Sequence, residues 1–167
     1  VTGSILVYLS SYILFKRRLF AFLSGLILST SLIWVAHSHY ITVDLPLAVL
    51  CAFTLFLSLK YIKSSGSLTW SRLALAGGGV GLCASAKYNG GLIIFSLLLP
   101  LIYCQRKKKK TLIKNMAWII TFSLVIFLLT NPFIILDFNH FLSDFTYELQ
   151  HSRSGHFGFQ NDNNFLY

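Results

Sequence analysis

Twelve of the 14 Lys and Arg residues fall into three short clusters separated by long uncharged runs. The clusters are Lys16-Arg17-Arg18, then Lys60, Lys63 and Arg72, then residues 106–110 with Lys114. Only 11% of the residues carry charge, against about 25% in a typical soluble domain, and 55% are apolar. A single core in a chain of 167 residues leaves too much of that apolar surface facing water. The solvent is therefore lipid. Basic clusters between apolar runs are the mark of cytoplasmic loops, so the net charge of +9 implies no nucleic-acid partner. Cys51, Cys83 and Cys104 are odd in number and sit in or beside apolar runs, which implies neither a disulfide framework nor a CxxC metal site.

If all three clusters face the cytoplasm, each connection between them crosses the bilayer an even number of times. Residues 19–59 divide at His37-Ser38-His39-Tyr40 and Asp44 into two spans. Residues 73–105 have one polar break, Lys87-Tyr88-Asn89-Gly90-Gly91, so parity predicts two short helices of about 15 residues each. Residues 2–15 enter from outside, and residues 115–131 return outward to Asn131-Pro132, where proline stops the helix. The expected fold is all-α, a polytopic bundle of about six spans over residues 1–131. Tyr61, Trp70, Tyr103 and Trp118 mark its inner boundary, and Trp34, Tyr40 and Tyr88 the outer one. Over residues 132–167 the expectation is an external surface helix and loop leading to a further span. Phe138, Phe141, Leu142, Phe145 and Leu149 recur at helical spacing among polar residues, which predicts an amphipathic helix at the outer boundary. Residues 150–164 then read as an ordered polar loop. Val1 opens inside an apolar stretch without an initiator methionine, and Phe165-Leu166-Tyr167 reads as the start of another span.

This topology sorts all five acids, all five histidines, Lys87 and Arg153 to the external side. A polar site at that membrane boundary is the natural inference. Asp44, just before Pro46, reads either as a cap for the new helix or as a ligand for a metal or a sugar hydroxyl. Lys87 is the only charged residue between Arg72 and Arg106. A lysine so placed snorkels, pairs with an acid or meets an anionic ligand. Gly77-Gly78-Gly79-Val80-Gly81 lies in an apolar span with no preceding strand, and reads as close helix packing rather than a nucleotide loop. His151, Arg153 and His156 read either as solvated loop residues or as ligands for a divalent cation or phosphate.

His39-Tyr40 with Asp44-Leu45-Pro46-Leu47, Ala86-Lys87-Tyr88-Asn89-Gly90, Thr130-Asn131-Pro132-Phe133 with Leu136-Asp137, and the run from His151 to His156-Phe157-Gly158 occur in this order over most of the chain. Together they resemble the dolichyl-phosphate-mannose-protein mannosyltransferase-like enzymes, glycosyltransferase family 39. The resemblance implies a multi-span GT-C fold and transfer of a sugar from a polyprenyl-phosphate-linked donor, on the non-cytoplasmic face, to a glycan, lipid or protein acceptor. It also places the principal catalytic acid upstream of Val1, which leaves Asp44 as an accessory acid. Lys87, Tyr88, Asn89, Arg153 and His39 are the expected donor-phosphate residues, with His151 and His156 as metal ligands. The competing class is a transporter or channel fragment, which would place ionisable groups at mid-membrane on broken helices. The expected setting is a bacterial inner membrane, active face external, which the lack of an N-x-Ser/Thr sequon permits.

Overall fold

The computed structural model describes residues 1–40, 42–63 and 68–154, and every regular element among them is helical. In chain order these are α1 (Thr2–Phe15), α2 (Arg18–Thr30), α3 (Leu32–His39), α4 (Asp44–Lys63), α5 (Trp70–Ala86), a 3-10 turn (Tyr88–Ile94), α6 (Phe95–Gln105), α7 (Lys109–Thr130), α8 (Phe133–Leu136) and α9 (Phe138–Ser154). They form two compact units, Val1–Thr130 and Asn131 onward.

Among the described residues, Asp44–Ile62, Tyr88–Gln105 and Lys109–Thr130 are long and apolar enough to cross a membrane. The bent pair α2 and α3 makes a fourth if it counts as one span. The expected six is thus matched by apolar helical segments but not by full-length spans: α1 has 14 residues and α5 has 17, short of the roughly 20 that a span needs. The second segment is also bent, a feature the hydropathy pattern did not predict, since α2 and α3 meet at 53°. The Ser29 and Thr30 hydroxyls bond back to the Leu26 carbonyl, and Ser31 is extended. Side chains competing for backbone carbonyls bend a helix without proline. Beyond the bend, His37-Ser38-His39 is the end of α3 rather than a loop, and His37 Nδ1 lies 3.0 Å from the Ile33 carbonyl oxygen. Similarly, α7 begins at Lys109, so part of its basic cluster is helical.

The buried centre of the first unit is built on α5. Leu73, Ala76 and Val80 pack there against Leu97, Leu101 and Ile119. Where lipid replaces water, apolar surface gives no drive for helices to associate, and small residues that let backbones approach supply the packing instead. Gly77 and Gly81, one turn apart, do this as their spacing predicts. A Cβ at Gly77 would lie 2.6 Å from the Ile119 carbonyl oxygen, and one at Gly81 2.5 Å from that of Ser123. On another side of α5, Thr54 of α4 meets Gly79. Large apolar side chains point outward instead, among them Phe22, Ile27, Leu99 and Leu129. This inversion suits a hydrocarbon surround.

Contacts fix the helix directions. Along α5, Gly77 meets Ile119 and Gly81 meets Ser123, so α5 and α7 run parallel. Against α4, Gly79 meets Thr54 while Gly90, beyond the end of α5, meets Leu47, so α4 and α5 run antiparallel. Asn115 near the start of α7 donates from Nδ2 to Gln105 Oε1 at the end of α6, at 3.0 Å, both side chains buried. Lys16, Lys60 and Arg72 consequently gather at one end of the bundle. Trp70 and Trp118, expected at one boundary, do meet, with ring centroids 4.1 Å apart.

In the second unit, α8 is a single turn that starts after Pro132. Asp137 follows it and caps α9: its carboxylate accepts the His140 backbone N–H at 3.3 Å and lies 2.9 Å from His140 Nδ1. These His140 hydrogen bonds, the ring's first, hold the Asp137 carboxyl below the usual carboxylate range. A carboxyl lowered by folding stabilises the folded state above its unfolded pKa, about 3.9, and loses that effect as pH falls through the lower folded value. Hydrogen exchange at the His140 amide should therefore stay protected at mildly acid pH and accelerate only below the ordinary Asp range; equal protection throughout would remove the cap. Phe138, Phe141 and Phe145 stack along one face of α9, with centroids 6.1 and 6.0 Å apart, as the periodicity predicts. The helix continues through Ser154, where a loop was expected from residue 150, because neither Gly nor Pro interrupts the chain before Gly155.

Candidate functional site

The break in residues 73–105 falls at Lys87, as parity requires. Helix α5 stops at Ala86, Lys87 is extended, and the chain turns back through the 3-10 turn. Lys87 donates its backbone N–H to the Cys83 carbonyl at 3.1 Å, and its own carbonyl accepts from Gly90 N–H at 2.8 Å. Gly90 is buried under the end of α5, where a Cβ would collide with the Cys83 carbonyl oxygen and lie 2.7 Å from Leu47 Cδ1. Only glycine lets the turn close this tightly. The closure leaves Lys87, Tyr88 and Asn89 exposed.

Opposite the turn is the start of α4. Lys87 Nζ reaches Asp44 Oδ1 at 3.4 Å, both side chains about half exposed at 51% and 53%. Two residues singled out separately, on different helices, form one ion pair. Asp44 is not the cap that its position before Pro46 suggested. Val43 supplies the first helical carbonyl, to Leu47 N–H, and Asp44 is already helical. Among the described residues its carboxylate bonds Lys87 and no backbone N–H. Each charge also suits the helix end it occupies: the acid lies at an N-terminus, where the dipole is positive, and the ammonium beside the C-terminus of α5. Exposed pairs of this kind contribute only about 0–1 kcal/mol. Stability alone does not account for the only charge between Arg72 and Arg106.

The end of α7 completes this corner. Ser85 and Thr130 hydroxyls lie 2.6 Å apart, and the Tyr88 ring meets Phe127 edge-on at 6.5 Å. The sequence reading passed over these four as a set; the signal was the hydroxyl next to each helix terminus. His39 is the exposed last residue of α3, and among the described residues no hydrogen bond or ion pair links it to Asp44 or Lys87. His151 and Arg153 lie on α9 in the other unit, with side chains outside the described residues, as is the whole of His156. No group of three or more His, Cys, Asp or Glu able to hold a metal occurs among the described residues.

What the corner offers is a lysine ammonium, an amide and a phenol at the mouth of a helical bundle, steadied by one carboxylate. A family model of dolichyl-phosphate-mannose-protein mannosyltransferases matches residues 1–147. The chain belongs to that family. No curated protein and no solved structure matches it. Membership makes it a membrane glycosyltransferase chain of the mannosyltransferase type, in keeping with its several apolar helices. The matched stretch of this mannosyltransferase-family chain holds His39, Asp44, Lys87, Tyr88 and Asn89, and ends before His151, Arg153 and His156.

Proposed function

We propose that the Lys87 corner receives the phosphate of a polyprenyl-phosphate-linked sugar at the non-cytoplasmic membrane boundary, and that the protein passes the sugar to an acceptor hydroxyl. The observation that carries this reading is the half-exposed Lys87–Asp44 pair, at the opposite end of the bundle from the basic clusters. In the transfer, the acceptor oxygen bonds to the anomeric carbon while the bond from that carbon to the phosphate oxygen breaks. The electron pair leaves with the polyprenyl phosphate, and a base takes the hydroxyl proton. Lys87 stabilises the charge growing on the departing phosphate, and the Asn89 amide and Tyr88 hydroxyl add donors beside it. Asp44, already engaged by Lys87, positions that ammonium. The base we assign, following the family resemblance, to an acid preceding α1. Ionisable groups at helix ends, rather than at mid-span, favour this reading over a transport path.

Orientation is tested by replacing the three native cysteines and introducing single ones for labelling with an impermeant thiol reagent in intact cells. Cysteines at Ser38 and Tyr88 should label from outside, and those at Arg17 and Lys109 only after the membrane is opened. Labelling of position 88 from the cytoplasmic side alone would overturn the proposed face.

A further inference from the structure

The far end of the same helix pair holds a second polar feature. Lys60 lies about 24 Å further along α4 than Asp44, at 1.5 Å per residue. There the ends of α1, α4 and α5 line an open cavity of about 510 Å³, within the range of small-molecule sites. Lys16, Lys60 and Arg72 line it together with Tyr61, and among the described residues no carboxylate lines it. Three cations from three segments repel one another, the more so beside a low-dielectric bundle. An anion placed among them is attracted by all three.

Two details show how the two lysines are presented. Lys16 ends α1 in the left-handed conformation, φ 57°, the only non-glycine residue with positive φ among those described. Glycine is the residue that occupies this helix-ending position without strain. A lysine there keeps a side chain at a cost in backbone strain. Lys16 Nζ and Lys60 Nζ meanwhile rest over the Tyr12 and Phe56 rings, at 5.9 and 5.0 Å, contacts that leave their N–H donors available. The cavity wall is apolar at Leu57 and Leu75, and Leu75 is 53% exposed on the lipid-facing side of α5. Cations beside an apolar wall continuous with the lipid surface match an amphiphile.

We propose that this cavity binds the phosphodiester headgroup of an anionic phospholipid from the leaflet facing the basic clusters. Its acyl chains run down past Leu75 and its phosphate sits among Lys16, Lys60 and Arg72. The site is separate from the Lys87 corner, and its occupancy is read without any turnover.

The test is native mass spectrometry of the intact protein in detergent with added phosphatidylglycerol or phosphatidylcholine. Wild type should retain phosphatidylglycerol in preference, and the triple variant Lys16→Gln/Lys60→Gln/Arg72→Gln should bind it at least about tenfold more weakly. Arg106→Gln/Lys107→Gln/Lys108→Gln removes as much charge elsewhere on the same side and should keep the lipid. If the cavity triple does not fold, Lys60→Gln alone is read in the same way and should show a smaller loss. Equal retention of the two lipids, or equal loss in both triple variants, would overturn the site. Displacement of phosphatidylglycerol by inorganic phosphate would assign the cavity to a free anion and overturn the lipid.

Discussion

Lys87→Met is expected to leave the protein in the membrane while lowering kcat/KM for the lipid-linked donor about ten- to a hundredfold. Hydrogen bonds to charged groups contribute about 1.5–3 kcal/mol, and each 1.4 kcal/mol is about a tenfold effect. Methionine keeps most of the apolar stem, so packing at the end of α5 changes little. Asp44→Asn leaves the ammonium in place without its partner 3.4 Å away and should cost less, mainly in KM. If Asp44 acts only by holding Lys87, the double variant will be no worse than Lys87→Met alone, since two residues in one chain of contacts are not additive. Unchanged donor kinetics in Lys87→Met would make the residue a snorkelling lysine and remove the phosphate role.

Gly81→Leu should prevent the first unit from assembling. Its Cβ would sit 2.5 Å from the Ser123 carbonyl oxygen and 3.0 Å from Ile126 Cβ, and neither can swing away as a side-chain tip would. Overpacking a core costs about 1–3 kcal/mol and more when the obstacle is backbone. Size-exclusion profiles in detergent should show aggregate in place of a single species. Gly78→Ala is the control, three residues away. There the nearest atom to a new Cβ is Ile126 Cγ1 at 3.8 Å, and alanine is the better helix former by up to about 1 kcal/mol. It should melt at or above the wild-type temperature. A monodisperse, normally melting Gly81→Leu would show that α5 and α7 do not cross this closely.

What could be read from residues alone follows from how local each signal is. The parity of the basic clusters places the break at Lys87, because a loop charge is unfavourable in hydrocarbon wherever its neighbours sit. The Gly77 and Gly81 spacing announces a close crossing for the same kind of reason, but not that α7 is the partner. The bend at Ser31 depends on hydroxyls choosing helix carbonyls over other partners, a choice that composition does not reveal. Asp44 meeting Lys87 was hidden more deeply. The two are 43 residues apart, and their contact exists only because α4 and α5 are antiparallel neighbours and Gly90 folds the turn against Leu47. Position before a proline suggested a cap; the neighbouring helix end supplied the partner instead.

The length of α5 has a consequence for the bilayer itself. Its 17 residues rise about 26 Å, whereas the hydrocarbon layer is about 30 Å thick. Polar backbone at Lys87 thus begins about 4 Å short of the far boundary if Trp70 sits at the near one. A segment too short for its membrane draws the headgroups inward around it. Such a dimple would lower interfacial water and lipid phosphates to the level of the Lys87 turn. On the proposed function, a carrier lipid would then reach that turn with its isoprenoid tail still immersed, the membrane deforming where the substrate would otherwise have to climb.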